Sequence, residues 1–496
     1  MSVPKGSLLI VAALVAGSLL GSGSKGMPKG LSSSESVEVV GATAVCPDLR
    51  QRDGVLATRV SVGSAPLPEG RGAAGGTVES LRLSDKGDPV PVGVGIPGQV
   101  SVGLGTTTDK DGLVVTSTGT LAAGLEVEQV TRGESGLDRG LAGVRCDAPR
   151  TDSWFVGGAT LAGDTTLLVL ANVDDTPATV DVSVFASPTA AGPPDPRLGS
   201  GITVQPHTRT IINLDTLAPD RNNLAVHVAC RRGRVAAGVR HARMNGSTPL
   251  GVDWVPRSTE PASRVVVPGL PQAPGARSVL VTNPGTDDVT VKLQVTTKDD
   301  QFVPTGRDEL VVGAGTTLAI RVDSFVQDTA LTATLTSEGG PVVAGGFIED
   351  RQTGPVREFA YSGSSLPLSG PALLTDLVIN RPTESTLLLA ALDGAASVLV
   401  TPIRVIGTKG TLPRSKRVVI PAGRVVTLKL STFYPAGADA LLALEVTPEP
   451  ASGPVYASRY LRERGARGPL STLLDLQGPA QLVSRPAVVD DPQLGS

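Results

Sequence analysis

Leu167–Val184 reads LLVLANVDDTPATVDVSV, and Ser278–Val295 reads SVLVTNPGTDDVTVKLQV. Offset by 111 residues, Asn172 falls on Asn283 and Thr179 on Thr290. At the same offset Val180, Val182 and Val184 fall on Val291, Leu293 and Val295. Strict alternation of apolar and polar residues marks a half-buried strand. The Asn, Asp, Pro and Gly between the two halves supply a turn, so each stretch reads as a β-hairpin.

The rest of the unit recurs as well. A strand, tight turn and strand are read at Val204–Ile211, Val312–Ala319, Val419–Val426 and Ile96–Val102. A closing strand is read at Val235–Gly238, Val342–Gly345, Val455–Ala457 and Leu121–Gly124. Self-similarity at a fixed period marks a repeat architecture. The chain therefore divides into four units, 37–147, 148–259, 260–365 and 366–485, behind a segment 1–24 and a linker 25–36, with a tail 486–496. Each unit of about 110 residues is read with six or seven short strands, long enough to bury its own core. The fold class is all-β: tandem antiparallel β-sandwich-like domains after an N-terminal hydrophobic segment. One propeller-like ring is the alternative, but propeller blades run to about 40–50 residues. Leu470–Leu476 reads as a short helix or a final strand.

Composition limits the function. The 496 residues carry a formal net charge of -3 and only 18% charged residues. Near-neutrality gives no electrostatic drive towards nucleic acid. Two Trp, four Tyr and seven Phe leave few rings for base-stacking platforms or sugar-binding strips. Gly and Pro together make up about a fifth of the chain, which suits many turns and few helices.

The first residues carry a compartment signal. Lys5 precedes an apolar run, Leu8–Leu20, with the shape of a secretory signal peptide or an uncleaved membrane anchor. Cys46, Cys146 and Cys230 are too scattered for a zinc site. In an oxidising compartment one pair and one leftover thiol is the simple reading. Cys46 and Cys146 stand at the edges of one unit and are expected to pair, leaving Cys230 as a buried apolar side chain. Arg outnumbers Lys 34 to 10 and Asn numbers seven, the coding bias of a GC-rich bacterium.

No motif carries a chemistry. Gly93–Gly98 matches GxGxxG, but Pro97 and the strand pattern after it exclude the helix that a dinucleotide needs. Asp109–Gly112 resembles the start of a calcium loop without its final Glu. Asp174, Asp175, Asp287, Asp288, Asp299 and Asp300 fall in turns, where such residues bond their own backbone. His207 occupies a turn and His227 a strand. Arg231, Arg232 and Arg234, with His241, form a basic cluster suited to an acidic glycan, a lipid headgroup or a carboxylate. Trp154 and Trp254 begin and end the second unit and are the aromatic candidates for ligand or partner contact. No catalytic residue, cofactor or metal ligand is assigned.

Gly140–Gly158, which reads GLAGVRCDAPRTDSWFVGG, with Val45-Cys46-Pro47 upstream and the phrases around Asn172 and Asn283, resembles a domain-of-unknown-function family of exported actinobacterial proteins. The resemblance implies a secreted or membrane-tethered envelope protein without assigned catalytic residues. It carries the pairing of Cys46 with Cys146. It also implies a neighbouring membrane glycosyltransferase as partner. The expected function is a non-catalytic, extracytoplasmic envelope scaffold that supports a membrane partner. An envelope polysaccharide-binding module and a hydrolase with an unrecognised site are the alternatives.

Overall fold

The computed structural model describes residues 35–47, 56–67, 75–103, 112–190, 192–351, 356–379, 383–409, 411–433, 440–465, 468–478 and 482–485. The apolar run at 8–20, the linker as far as residue 34, the tail 486–496 and Asp109–Asp111 of the calcium-like loop lie outside these residues. Among the described residues no helix is long and apolar enough to cross a membrane. The chain forms two compact units. The smaller holds one antiparallel pair, in which Glu35–Glu38 runs against Leu482–Arg485. The larger, Val39–Gln481, holds everything described below.

Its eight sheets fall in sequence as four facing pairs, spanning 41–145, 152–258, 264–363 and 372–476. All are antiparallel, and helix is confined to short 3-10 turns. In the second pair, one sheet runs Ile202–Val204, Ala178–Phe185, Ala225–Arg232, Asp152–Val156, with Arg257–Ser258 at its edge. The facing sheet runs Thr208–Asn213, Asp164–Asn172, Ala236–Asn245, Thr248–Val255. Numbered along the chain, one sheet takes strands four, three, six and one, and the other takes five, two, seven and eight. All four sandwiches share that order of eight strands, the second adding Arg257–Ser258 and the third Gln301–Phe302 as a ninth, short edge strand. Eight or nine strands replace the six or seven expected, because the short edge strands are also paired.

The alternation seen in the sequence sets the core. Val289, Val291, Leu293 and Val295 are buried while Lys292 between them is exposed. The hairpin reading, however, is corrected. Asp164–Asn172 and Ala178–Phe185 lie in opposite sheets, as do Arg277–Thr282 and Val289–Thr296. The turn between them is an arch across the sandwich. Both strands bury an apolar face, and the two faces meet across the core rather than side by side. Leu121–Gly124 is also corrected: Gly119–Gly124 is a 3-10 turn, and the closing strand is Leu125–Gly133. Gly468–Leu476 is a strand, not a helix.

The sandwiches close on one another. Their eighth strands, Gly140–Arg145, Thr248–Val255, Arg357–Gly363 and Gly468–Leu476, touch in a cycle, first to second, second to third, third to fourth and fourth to first. Apolar clusters fill each seam. Ala142, Val169 and Trp254 join the first two sandwiches. Trp154, Val156, Leu280 and Val343 join the second and third. The third core runs on into Leu388, Tyr456 and Leu473 of the fourth. Val130, Leu141, Leu461 and Leu474 close the circuit. The units are thus complete sandwiches rather than propeller blades, and they still form a closed ring.

Candidate functional site: a buried carboxyl junction

Where the four eighth strands meet, three acidic side chains are buried. Asp253 lies between Val252 and Trp254 and is fully buried. Its Oδ1 accepts from the Gly143 N–H at 3.3 Å and the Thr472 hydroxyl at 2.8 Å. Its Oδ2 accepts from the Tyr361 N–H at 3.1 Å. One carboxyl group therefore holds the first, third and fourth sandwiches to the second. Burial pushes its pKa well above the usual carboxylate range.

Glu358 makes the reciprocal contact from the third sandwich. Its Oε1 accepts from the Val252 N–H at 2.9 Å, and its Oε2 has no hydrogen-bond partner. Two glycines make room for it. A Cβ on Gly140 would stand 2.9 Å from Oε2, and one on Gly251 would stand 2.5 Å from Oε1. Gly251 also has φ +123°, a conformation other residues rarely adopt. Burial raises the pKa of Glu358 well above its ordinary value.

Asp475 is the third. Its Oδ1 accepts weakly from the Ser362 hydroxyl at 3.4 Å, and its Oδ2 is unpartnered. Burial pushes it up to about 7. It borders a cavity of about 30 Å³, room for one or two waters, shared with Arg145, Asp147 and Arg257. Arg145 forks onto Glu126 at 2.5 and 2.6 Å, and Arg257 reaches Asp147 at 3.1 Å. Burial pushes Glu126 up to about 7 against the pull of Arg145. Burial also opposes the charge on Arg145, but the Glu126 carboxylate outweighs it and keeps the guanidinium protonated. Between the first and fourth sandwiches, Glu128 accepts from the Thr375 N–H at 3.0 Å and hydroxyl at 2.7 Å, beside the fully buried Arg459.

His241 belongs to this interior and not to a basic surface. It is fully buried, with Nε2 2.9 Å from Asp164 and Nδ1 2.8 Å from the Tyr361 hydroxyl. Tyr361 in turn accepts from the Gly158 N–H at 3.1 Å. Burial lowers the His241 pKa, so the ring is neutral: Nε2–H donates to Asp164 and Nδ1 accepts from Tyr361. Both nitrogens are engaged, which leaves none to take a proton from a substrate.

The other candidates separate. Arg231 is paired with Asp181 and also donates to Ser200, Arg234 forks onto Asp174, and Arg232 is exposed. Nearby carboxylates thus neutralise two of the three guanidinium groups. Trp154 is buried, stacked on His227 with ring centres 4.0 Å apart, and Trp254 is buried on the first sandwich. Both tryptophans are core side chains here and present no ring face to a ligand. Cys46 and Cys146 form a disulfide. Cys230 is half-buried, its thiol pKa raised by burial. Among the described residues no group of His, Cys, Asp and Glu is placed to hold a metal ion.

Sequence reasoning missed Asp253, Glu358 and Asp475. A signal was present for two of them. Val252-Asp253-Trp254 and Leu473-Leu474-Asp475-Leu476 each place one acid inside an apolar strand, where an acid must find partners. Residues 102–431 match the model of a Family of unknown function (DUF5719). No curated protein and no solved structure matches the chain.

Proposed function

The chain belongs to this family of unknown function, which lends it no activity, and we propose that it is a non-catalytic scaffold of the bacterial cell envelope. It works outside the cytoplasmic membrane and supports a membrane protein partner, with a membrane glycosyltransferase as first candidate. One observation carries the reading. The strongly perturbed carboxyl groups, Asp253, Glu358 and Asp475, bond across seams between sandwiches, and the cavity that Asp475 borders has room for no more than one or two waters. Perturbed acids mark catalytic sites when they line a cleft, and structural ties when they are enclosed. The Cys46–Cys146 disulfide supports an oxidising compartment. A rigid ring suits a scaffold, because a partner's binding energy is not spent on ordering the surface it meets.

Cross-linking intact cells, solubilising the envelope and identifying what co-purifies tests this directly. One dominant membrane protein is the expected result. Recovery of the protein from the cytosol, or a turnover activity abolished by one Asp or His substitution, overturns it.

A further inference from the structure

A second feature lies away from the junction, on the seam between the third and fourth sandwiches. Two loops, 271–276 and 322–330, form the lips of an open cleft of about 620 Å³, and Arg462 of the strand Tyr456–Gly465 lines its back. That volume is in the range of small-ligand sites, about 300–1,000 Å³.

The cleft is held open from beneath. Arg277 is fully buried and donates to main-chain carbonyls of both lips. Its Nη1 reaches Pro271 O at 3.2 Å and Thr329 O at 2.7 Å, and its Nη2 reaches Val326 O and, at 3.2 Å, Gln327 O. A guanidinium has a rigid fork, so the spacing of the lips is fixed before any ligand arrives. Gly275 tightens the base, since a Cβ there would stand 2.2 Å from Glu349 O.

The lining offers a particular chemistry. Gln272, Gln327 and Asp328 are exposed, and their side chains make no hydrogen bond among the described residues. Asp350 takes Nε and Nη2 of Arg462 at 2.6 and 3.0 Å, leaving Nη1 as a donor. Asp323 is neutralised by Arg321. The cleft therefore presents two amides, one carboxylate and one guanidinium N–H, with no excess positive charge. Phosphate, sulfate or a uronate would find no counter-charge. The hydroxyls of a sugar each donate and accept, as these groups require. Ala273 and Pro274 give a small apolar shelf for the C–H side of a ring.

We propose that this cleft binds a neutral saccharide of one or two rings through Gln272, Gln327, Asp328 and Arg462. The site stands whether or not the chain also holds a protein partner. Titration of the full chain with maltose, cellobiose, galactobiose and chitobiose, with galacturonate dimer and inorganic phosphate as charged probes, tests it by calorimetry. At least one neutral disaccharide should saturate below about 20 mM, and the paired change Gln327→Ala and Asp328→Ala should weaken it by roughly tenfold or more. Both side chains are exposed, so an unchanged melting temperature shows that the variant is folded. Arg231→Ala with Arg234→Ala, in another sandwich, should leave binding untouched. Saturation by none of the neutral disaccharides, preference for a charged probe, or wild-type affinity in the lip variant overturns the proposal.

Discussion

Asp253 shows how much one side chain can decide. Its two oxygens serve three sandwiches besides its own. Asp253→Ala strips the acceptor from the Tyr361 N–H and the Thr472 hydroxyl, both buried, and should destabilise the ring by about 2–6 kcal/mol at ~1–3 kcal/mol for each of the two orphaned groups. Asp253→Asn keeps one accepting oxygen, so it should lose less than the alanine variant. Urea midpoints at unchanged m-value would check both. Asp475 makes a separate prediction. Its folded pKa is raised to about 7, so the native state keeps a proton that the unfolded chain releases near 4. The native state binds more protons over that interval, so its stability is fully present below about 4 and falls as pH rises towards about 7. His241 acts in the opposite sense below its ordinary value, because its folded pKa is lowered. The comparison of Asp475→Asn with wild type isolates the carboxyl: melting temperature should fall less steeply between pH 5 and pH 7.5 in the variant.

At the scale of the element, the arch is the repeated part. Asn172 is fully buried and donates Nδ2 to Thr176 O at 2.8 Å and Val204 O at 3.0 Å, while its Oδ1 accepts from the Asp174 N–H at 3.0 Å. Asn283 repeats the set, with Asp287 O at 2.8 Å, Val312 O at 3.0 Å and the Gly285 N–H at 2.9 Å. Asn172→Ala or Asn283→Ala should each destabilise by about 2–3 kcal/mol, since all three main-chain groups lose their partner. Asn172→Asp should be no milder at neutral pH, because a carboxylate cannot donate to two carbonyls; thermal melts of the three variants decide it. The recurrence of this Asn was legible in the sequence, as was the period-two burial of the strand after it. The direction of the turn was not. A hairpin and an arch share the same turn residues and the same alternation, and differ only in whether the next strand pairs beside the last or faces it. The ring was equally hidden. Trp254 reads as a candidate for ligand or partner contact and Leu473 as part of a short helix or final strand, and no local pattern tells a seam between sandwiches from the inside of one.

Across the whole of Val39–Gln481, the seams are built like cores. Apolar clusters and buried polar bonds link each sandwich to both neighbours. Contacts between domains of a chain are ordinarily polar and permit movement, and large apolar ones remove that freedom. The four sandwiches should therefore unfold as one. Calorimetry of the full chain is expected to give a single transition with calorimetric and van't Hoff enthalpies in agreement. Independent sandwiches would instead give a calorimetric enthalpy several times the van't Hoff value. The Cys46–Cys146 disulfide sharpens the test. It closes a loop across the first sandwich with a sequence separation of 100, and such a loop stabilises by about 4–5 kcal/mol in the chain-entropy model. If the ring is one cooperative body, reduction lowers the melting temperature of the single transition. If the sandwiches are independent, reduction splits off an early transition carrying about a quarter of the heat, and the other three melt where they did before.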